Sequence, residues 1–356
     1  MMRNHPEQNI AFALHKDSPD WSRLEKDGFK LIDISSLRYL CAYLNCTWLI
    51  SSSRTSYIAK HYWRRWHANI VQHKFCFLQH GIALDYFPRF SNPRSDLMIC
   101  TTRDEYDSFA VDARFPYVYS KMETCLSGLP RHDELLHKAE ANPYPKNILI
   151  MPTWRHALAG KQTKDGQFRY AEGFTSTLFF QRWQAVLQSP ELLSTVRGCD
   201  YTVCFYPHPH LLPQLHLFQL QNIMLVPKSG TGIQDTLNNT ALLITDYSSI
   251  AAEIAPLRRP VLYFHFDRAS FFNNSFHRGR STGYFNYERD GFGEVVTQIE
   301  DLHARASDYM RDGCMMKALY RKRAEEFFAF SDQENCTRVY NALHAHSGDG
   351  DEQLGL

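Results

Sequence analysis

Three stretches of this chain set groups that can hold phosphate or move protons directly behind an apolar run. The first is Ala241-Leu-Leu-Ile-Thr-Asp-Tyr-Ser-Ser-Ile250. A buried strand here runs into small hydroxyl residues and then into the helical spacing of Ile250, Ala251 and Ile254. Unpaired backbone N–H groups and the positive end of a helix attract phosphate, and Ser248 and Ser249 add hydroxyl donors. Thr245 and Asp246 stand at the turn, and Glu253 follows one helical turn later, where it can accept from ribose hydroxyls. The blander reading is that Asp246 and the serines cap a short helix and Glu253 is surface charge.

The second stretch, Phe75-Cys-Phe-Leu-Gln-His80-Gly81, ends an apolar run on a histidine and a glycine. A histidine at a strand end suits a general base, because its unperturbed pKa lies near neutrality and it can take a proton from a hydroxyl. Gly81 lets the backbone turn tightly and lets a substrate approach closely. A His-Gly pair alone is more often an ordinary loop feature. The third stretch is Cys204-Phe-Tyr-Pro-His208-Pro-His210, in which Pro207 and Pro209 stop the strand and stiffen the chain around His208. As a cation or an N–H donor, His208 can meet charge developing on a pyrophosphate leaving group. Two further loops carry arginines: Met151-Pro-Thr-Trp-Arg155, with Thr153, and Ser127-Gly-Leu-Pro-Arg131-His-Asp133. Arginine suits bidentate phosphate contacts, although either one can instead form an ion pair between domains.

These loops need strands to carry them. Ile10 to Leu14, Leu31 to Ile34, Thr47 to Ile50, Phe75 to Leu78 and Leu97 to Cys100 read as strands, with a helical stretch at Ser36 to Tyr43. The pattern breaks over Ser127 to Pro145, which contains Gly128, Pro130, Pro143 and Pro145. It resumes with strands at Ile148 to Met151, Tyr201 to Tyr206, Met224 to Pro227, Ala241 to Thr245 and Val261 to Phe264. Strands alternating with helices imply parallel sheets in an α/β fold. The domains are therefore placed at 1–140 and 141–330, followed by a helix and tail over 331–356. Met310 to His346 reads as helical and able to brace the first domain, and 348–356 as a frayed end. The first sheet is thin for a nucleotide-type domain, which leaves room for an upstream segment.

The chain has 356 residues, of which 44% are hydrophobic, so it can fill two cores. Its formal net charge of +1 argues against a protein that coats nucleic acid. The cysteines are scattered and never spaced as CxxC, which suggests neither a zinc site nor a disulfide framework and fits a reducing cytoplasm. No signal-peptide pattern and no run of about 18 apolar residues occurs. Tyr57 to Lys74 mixes Trp63, Trp66 and tyrosines with Arg64, Arg65 and histidines. Such a stretch settles at a membrane interface or packs its tryptophans into the first core, and the second reading is preferred because a helix is needed there.

Taken in order, Gln79-His80-Gly81, Gly128-Leu-Pro-Arg131-His-Asp133, Met151-Pro-Thr-Trp-Arg155, Tyr206-Pro-His208-Pro209 and Leu243-Ile-Thr-Asp-Tyr-Ser-Ser-Ile250 resemble the CDP-glycerol glycerophosphotransferase family of teichoic-acid and capsule polyol-phosphate transferases. The likeness spans roughly residues 45 to 330. It implies a GT-B type fold, with two facing Rossmann-like domains and parallel sheets: the first on the acceptor side, the second holding the nucleotide donor. It implies that glycerol phosphate or ribitol phosphate passes from CDP-glycerol or CDP-ribitol to a hydroxyl of a cell-surface polymer, releasing CMP. By the same resemblance His80 and His208 would take the catalytic positions. Thr153, Arg155, Pro207, Thr245, Asp246, Ser248, Ser249 and Glu253 would then bind the donor, while Gly81, Arg131 and Asp133 would serve the acceptor or the domain boundary. No aspartate pair has convincing metal spacing, so no metal or other cofactor is expected to be obligatory. The acceptor would be lipid-linked or an oligosaccharide, and the protein cytoplasmic or peripheral at the inner face of the membrane. The family's usual Trp-His-Gly-Thr-Pro-Leu is here Gln79-His-Gly-Ile-Ala-Leu84, with Asp85 and Tyr86 where a lysine or arginine often follows. A glycosyltransferase or epimerase using a nucleotide sugar, or a non-catalytic scaffold, would share the same nucleotide-binding grammar.

Overall fold

The computed structural model describes residues 1–2, 4–53, 72–91, 95–155, 158, 160, 172–226, 232–272 and 281–347. Of the aromatic and basic stretch from Tyr57, only residues 72–74 fall among these, and 348–356 lies outside them. The chain divides into two compact units, neither of them continuous: unit 1 comprises Met1–His80, Arg89–Glu134 and Asp332–Leu356, and unit 2 comprises Gly81–Pro88 and Leu135–Ser331.

Unit 1 holds a two-stranded parallel pair, β1 (Phe12–Leu14) and β2 (Leu31–Asp33), and a four-stranded parallel sheet. That sheet runs in the order β3 (Trp48–Ser51), β4 (Lys74–Phe77), β5 (Leu97–Cys100), β6 (Thr124–Leu126). All of β5 is buried, as expected of an inner strand of a parallel sheet covered on both faces. Two differences from the sequence expectation concern the region after β5. Strand β6 was not anticipated, because three residues with one buried position carry no periodic signal. Helix Pro130–Glu140 occupies the stretch expected to break the pattern. Its proline stands at the first helical position, where a missing N–H costs nothing, so Pro130 starts a helix instead of ending one.

After helix Ile299–Arg311, the stretch expected to be helical from Met310 to His346 is two helices, Ala318–Phe327 and Asn335–Ser347. The last belongs to unit 1. Asp133 caps it, accepting from the backbone N–H groups of Asn335 at 3.1 Å and Cys336 at 2.8 Å. Arg338 donates to the Ser127 carbonyl at 2.9 Å, and Trp48 Nε1 donates to Ser347 at 2.8 Å. Gly128 has φ +76, and a Cβ there would collide with the Asn335 side chain, so this boundary turn needs its glycine.

Unit 2 is a six-stranded parallel sheet of β7 (Asn147–Met151), β8 (Thr202–Phe205), β9 (Met224–Leu225), β10 (Thr240–Thr245), β11 (Val261–Phe264) and β12 (Gly293–Val296). The spatial order is β9-β8-β7-β10-β11-β12. Counted from the first strand of the unit, this is 3-2-1-4-5-6, the doubly wound order of dinucleotide-binding sheets. Every residue of β10 is buried. Trp183, fully buried on helix Leu178–Leu187, packs edge-on against Phe264, and Leu302, Ala306, Tyr309 and Met310 bring one face of helix Ile299–Arg311 to the same core. Strand β12 was missed by sequence reading: Gly293 and Glu294 interrupt the apolar run, and Gly293 lies so close to the Val261 carbonyl that no side chain would fit.

Candidate functional site

In a doubly wound sheet, successive crossovers turn to opposite faces at one point, and the loops there part to leave a crevice at the carboxyl edge. Here that point lies between β7 and β10, paired in register with Thr245 opposite Met151. The loops leaving it are Pro152-Thr-Trp-Arg155 and Asp246-Tyr-Ser-Ser249. Strand β8, on the other side of β7, delivers Pro207 and His208 to the same edge. The sequence-selected donor residues of the second half thus converge on the switch point of one sheet.

The two loops are tied together beneath the crevice. Thr245 donates its hydroxyl to the Met151 carbonyl at 2.6 Å, and Asp246 Oδ1 accepts from the N–H groups of Thr153 and Tyr247, both at 2.8 Å. Arg155 lies 2.8 Å from the other Asp246 oxygen, contacts Asp267 at 3.1 Å through both Nε and NH2, and donates to the Thr153 carbonyl at 2.7 Å. Its guanidinium is fully buried and stacked among aromatic rings, 4.6 Å from the Phe271 centroid and 5.2 Å from that of Tyr247. Burial opposes the charge, but Asp246 and Asp267 outweigh it and raise the Arg155 pKa. Arg155 thus forms a buried ion pair with both carboxylates, and the pair lies within unit 2. Asp246 is equally buried and shapes the loops from below.

What the loops leave at the edge is hydroxyl and N–H. Ser248 and Ser249 are half-buried at the start of helix Ile250–Ile254, and Ser248 Oγ accepts from Ile250 N at 3.3 Å. Thr153 Oγ1 has no hydrogen-bond partner although it is buried. Glu253 is buried on that helix. Gly81 belongs to this unit, and a Cβ placed on it would stand 2.7 Å from Ser249 Oγ, so any side chain there would turn that hydroxyl aside.

His208 is half-buried and stacks on Trp154, ring centroids 6.0 Å apart and planes 12° from parallel. Its Nδ1 accepts from the His210 backbone N–H at 3.2 Å, which leaves the proton of the neutral ring on Nε2. Burial, with His210 adding to it, lowers its pKa from 6.5 to about 4. Of the two forms considered for His208, the neutral N–H donor is therefore the resting one. His265, under the Asp246 turn, donates Nε2–H to the Asp246 carbonyl at 3.2 Å and is lowered to about 4, chiefly by burial.

His208 and His265 together set a pH dependence. Between about 4 and 6.5 the unfolded chain binds protons at both positions that the folded chain refuses, so stability rises with pH across that window and falls on acidification. Denaturant unfolding at stepped pH is expected to show this slope, and His208→Gln to remove about one proton from it. An unchanged slope in that variant would contradict the assignment.

The candidates of unit 1 lie elsewhere in the chain's architecture. His80 is exposed behind β4. Arg131 donates to the Gln79 carbonyl at 2.5 Å, and Asp133 caps helix Asn335–Ser347. Both make these bonds inside unit 1. Sequence reading passed over Asp267 and His265, although they follow the apolar run of β11 at the same sheet edge. Among the described residues no group of three or more His, Cys, Asp or Glu could hold a metal ion, and no helix is long and apolar enough to cross a membrane.

Residues 1–345 match the family described as CDP-Glycerol:Poly(glycerophosphate) glycerophosphotransferase. The minor teichoic acid biosynthesis protein GgaB of Bacillus subtilis (strain 168) is 29% identical over 339 residues, covering 93% of this chain and 36% of that protein. The teichoic acid poly(glycerol phosphate) polymerase of the same organism is 24% identical, covering 85% of this chain and 40% of that protein. The chain thus spans well under half the length of these relatives. Among solved structures, the wall teichoic acid polymerase TagF superposes with a TM-score of 0.64 at 18% identity, covering 99% of this chain and 85% of that one. A UDP-N-acetylglucosamine 2-epimerase from Listeria monocytogenes, described as putative, superposes with a TM-score of 0.57 at 14% identity over 98% of this chain and 92% of that one. These likenesses concern the fold, and they match the α/β class with parallel sheets expected from the sequence.

Proposed function

The chain belongs to the CDP-glycerol:poly(glycerophosphate) glycerophosphotransferase family, and from that premise we propose that it transfers glycerol phosphate from CDP-glycerol to a hydroxyl of a teichoic-acid-like polymer and releases CMP. The observation that carries this reading is the switch point between β7 and β10, edged by Thr153, Ser248 and Ser249 over a buried ionic support. Ribitol phosphate from CDP-ribitol is the neighbouring choice, because donor selection rests on contacts to a few hydroxyls.

In the proposed reaction His80 accepts the proton of the acceptor hydroxyl as its oxygen attacks the β-phosphorus of the donor. The new P–O bond forms in line with the breaking bond to the bridging oxygen, which leaves as part of CMP. Charge gathering on that oxygen meets the hydroxyls of Ser248 and Ser249 at the positive end of helix Ile250–Ile254, and Nε2–H of His208. Glu253 is assigned to the donor's ribose. No step is assigned to a metal ion. Unit 2 is assigned the donor and unit 1 the acceptor. A lipid-linked or oligosaccharide acceptor at the inner face of the membrane follows from the same reading.

The test is chromatography of CMP released from CDP-glycerol and CDP-ribitol, with and without acceptor oligosaccharides, in the presence of EDTA. Acceptor-dependent CMP release that survives the chelator is expected. No release from either donor, together with turnover of a UDP-sugar, would move the chain to the nucleotide-sugar enzymes, a reading that the fold likeness to the epimerases favours.

A further inference from the structure

His80 follows a residue in an unusual conformation. Gln79 has φ +58, in the left-handed region that favours glycine and, after it, asparagine and aspartate. Glutamine has no local hydrogen bond of that kind to offer, so its side chain must be held by its surroundings. It is fully buried while His80, one residue on, is exposed. Its amide Nε2 donates to the Ile99 carbonyl at 2.5 Å and to Glu105 Oε1 at 3.1 Å. Glu105 is itself fully buried, and its second oxygen accepts from Thr101 N at 2.7 Å, so the carboxylate is fixed at the carboxyl end of β5. From the other side Arg131 donates to the Gln79 carbonyl at 2.5 Å. The residue thus has both its side chain and its carbonyl held, by β5, the helix beginning at Arg103 and the helix beginning at Pro130.

We propose that Gln79, gripped by Glu105 and Arg131, is a positioning residue that fixes the direction in which His80 leaves the strand. A left-handed residue at a strand end swings the next side chain out of the sheet, and it persists only where the surrounding structure over-determines it. Gln79 does not touch substrate in this scheme. Its carbonyl and amide act through the one peptide bond that carries His80. The catalytic part of the inference rests on the reading of His80 as the base.

The experiment uses the full chain labelled with [13Cε1]histidine, in which the His80 signal is identified by its loss in His80→Ala. Gln79→Met keeps the length of the side chain and removes both amide bonds, and Arg131→Met removes only the grip on the carbonyl. In both, the His80 signal and its titration are expected to differ from those of the wild type. For Gln79→Met, kcat for CMP release is expected to fall ten- to a hundredfold, with KM for CDP-glycerol within about twofold, the pattern of a misplaced group near the reacting atoms. If Gln79→Met does not fold, Arg131→Met carries the test. A His80 signal and titration matching the wild type, with unchanged kcat, would overturn the proposal. Full turnover by His80→Ala would overturn the base assignment instead, while the labelled spectra would still report on positioning.

Discussion

Replacing His80 by alanine is expected to lower acceptor-dependent CMP release about a thousandfold, the middle of the range for a positioned general base, while CDP-glycerol still binds. The separation follows from the two units. His80 lies in unit 1, whereas every donor group assigned here, from Thr153 to Glu253, is carried by unit 2. Single-turnover kinetics measure the first quantity and calorimetric titration of CDP-glycerol the second. If the variant kept its turnover, proton removal would belong to another group. If it lost donor affinity as strongly as rate, His80 would be a binding residue and not a base.

Arg155→Met is expected to destabilise the protein by about 3–5 kcal/mol, the cost typical of removing one partner from a buried ionic group. Asp246 is buried and Asp267 largely so beside the guanidinium. Methionine fills much of the volume but leaves two carboxylates with only Thr153 N, Tyr247 N and the Tyr247 hydroxyl to satisfy them. Denaturant midpoints at pH 7 provide the measurement. A loss below about 1 kcal/mol at neutral pH, as for a surface pair, would mean the triad is not the support described here.

Much of the framework is readable from residues because parallel strands announce themselves. Ala241 to Thr245 is an uninterrupted apolar run of the kind only a strand buried on both faces requires, and it is the central strand β10. Strand order is different in kind. That β10 lies beside β7, with Thr245 opposite Met151, depends on a pairing across ninety-odd residues that no local pattern encodes. The ambiguity of Arg155 has the same origin: its partner Asp267 is 112 residues away, so the sequence offers the cation without showing what neutralises it. Gln79 was visible only as a departure from an expected tryptophan. Its backbone angle and its buried amide bonds are properties of three elements meeting, and composition is silent about them.

The chain passes between its units at four places, after residues 80, 88, 134 and 331. No single cut can therefore release either unit whole. Expressing residues 1–140 alone would deprive Asp133 of the helix it caps and remove the partner of Gly128, and a fragment from 141 onwards would lack Gly81 beside Ser249. Recombination within the gene faces the same constraint: a crossover near the middle yields two broken folds. The stretch can be moved between larger proteins only as one indivisible cassette, in keeping with its matching the two teichoic-acid proteins of Bacillus subtilis over 93% and 85% of its own length but only a minor part of theirs.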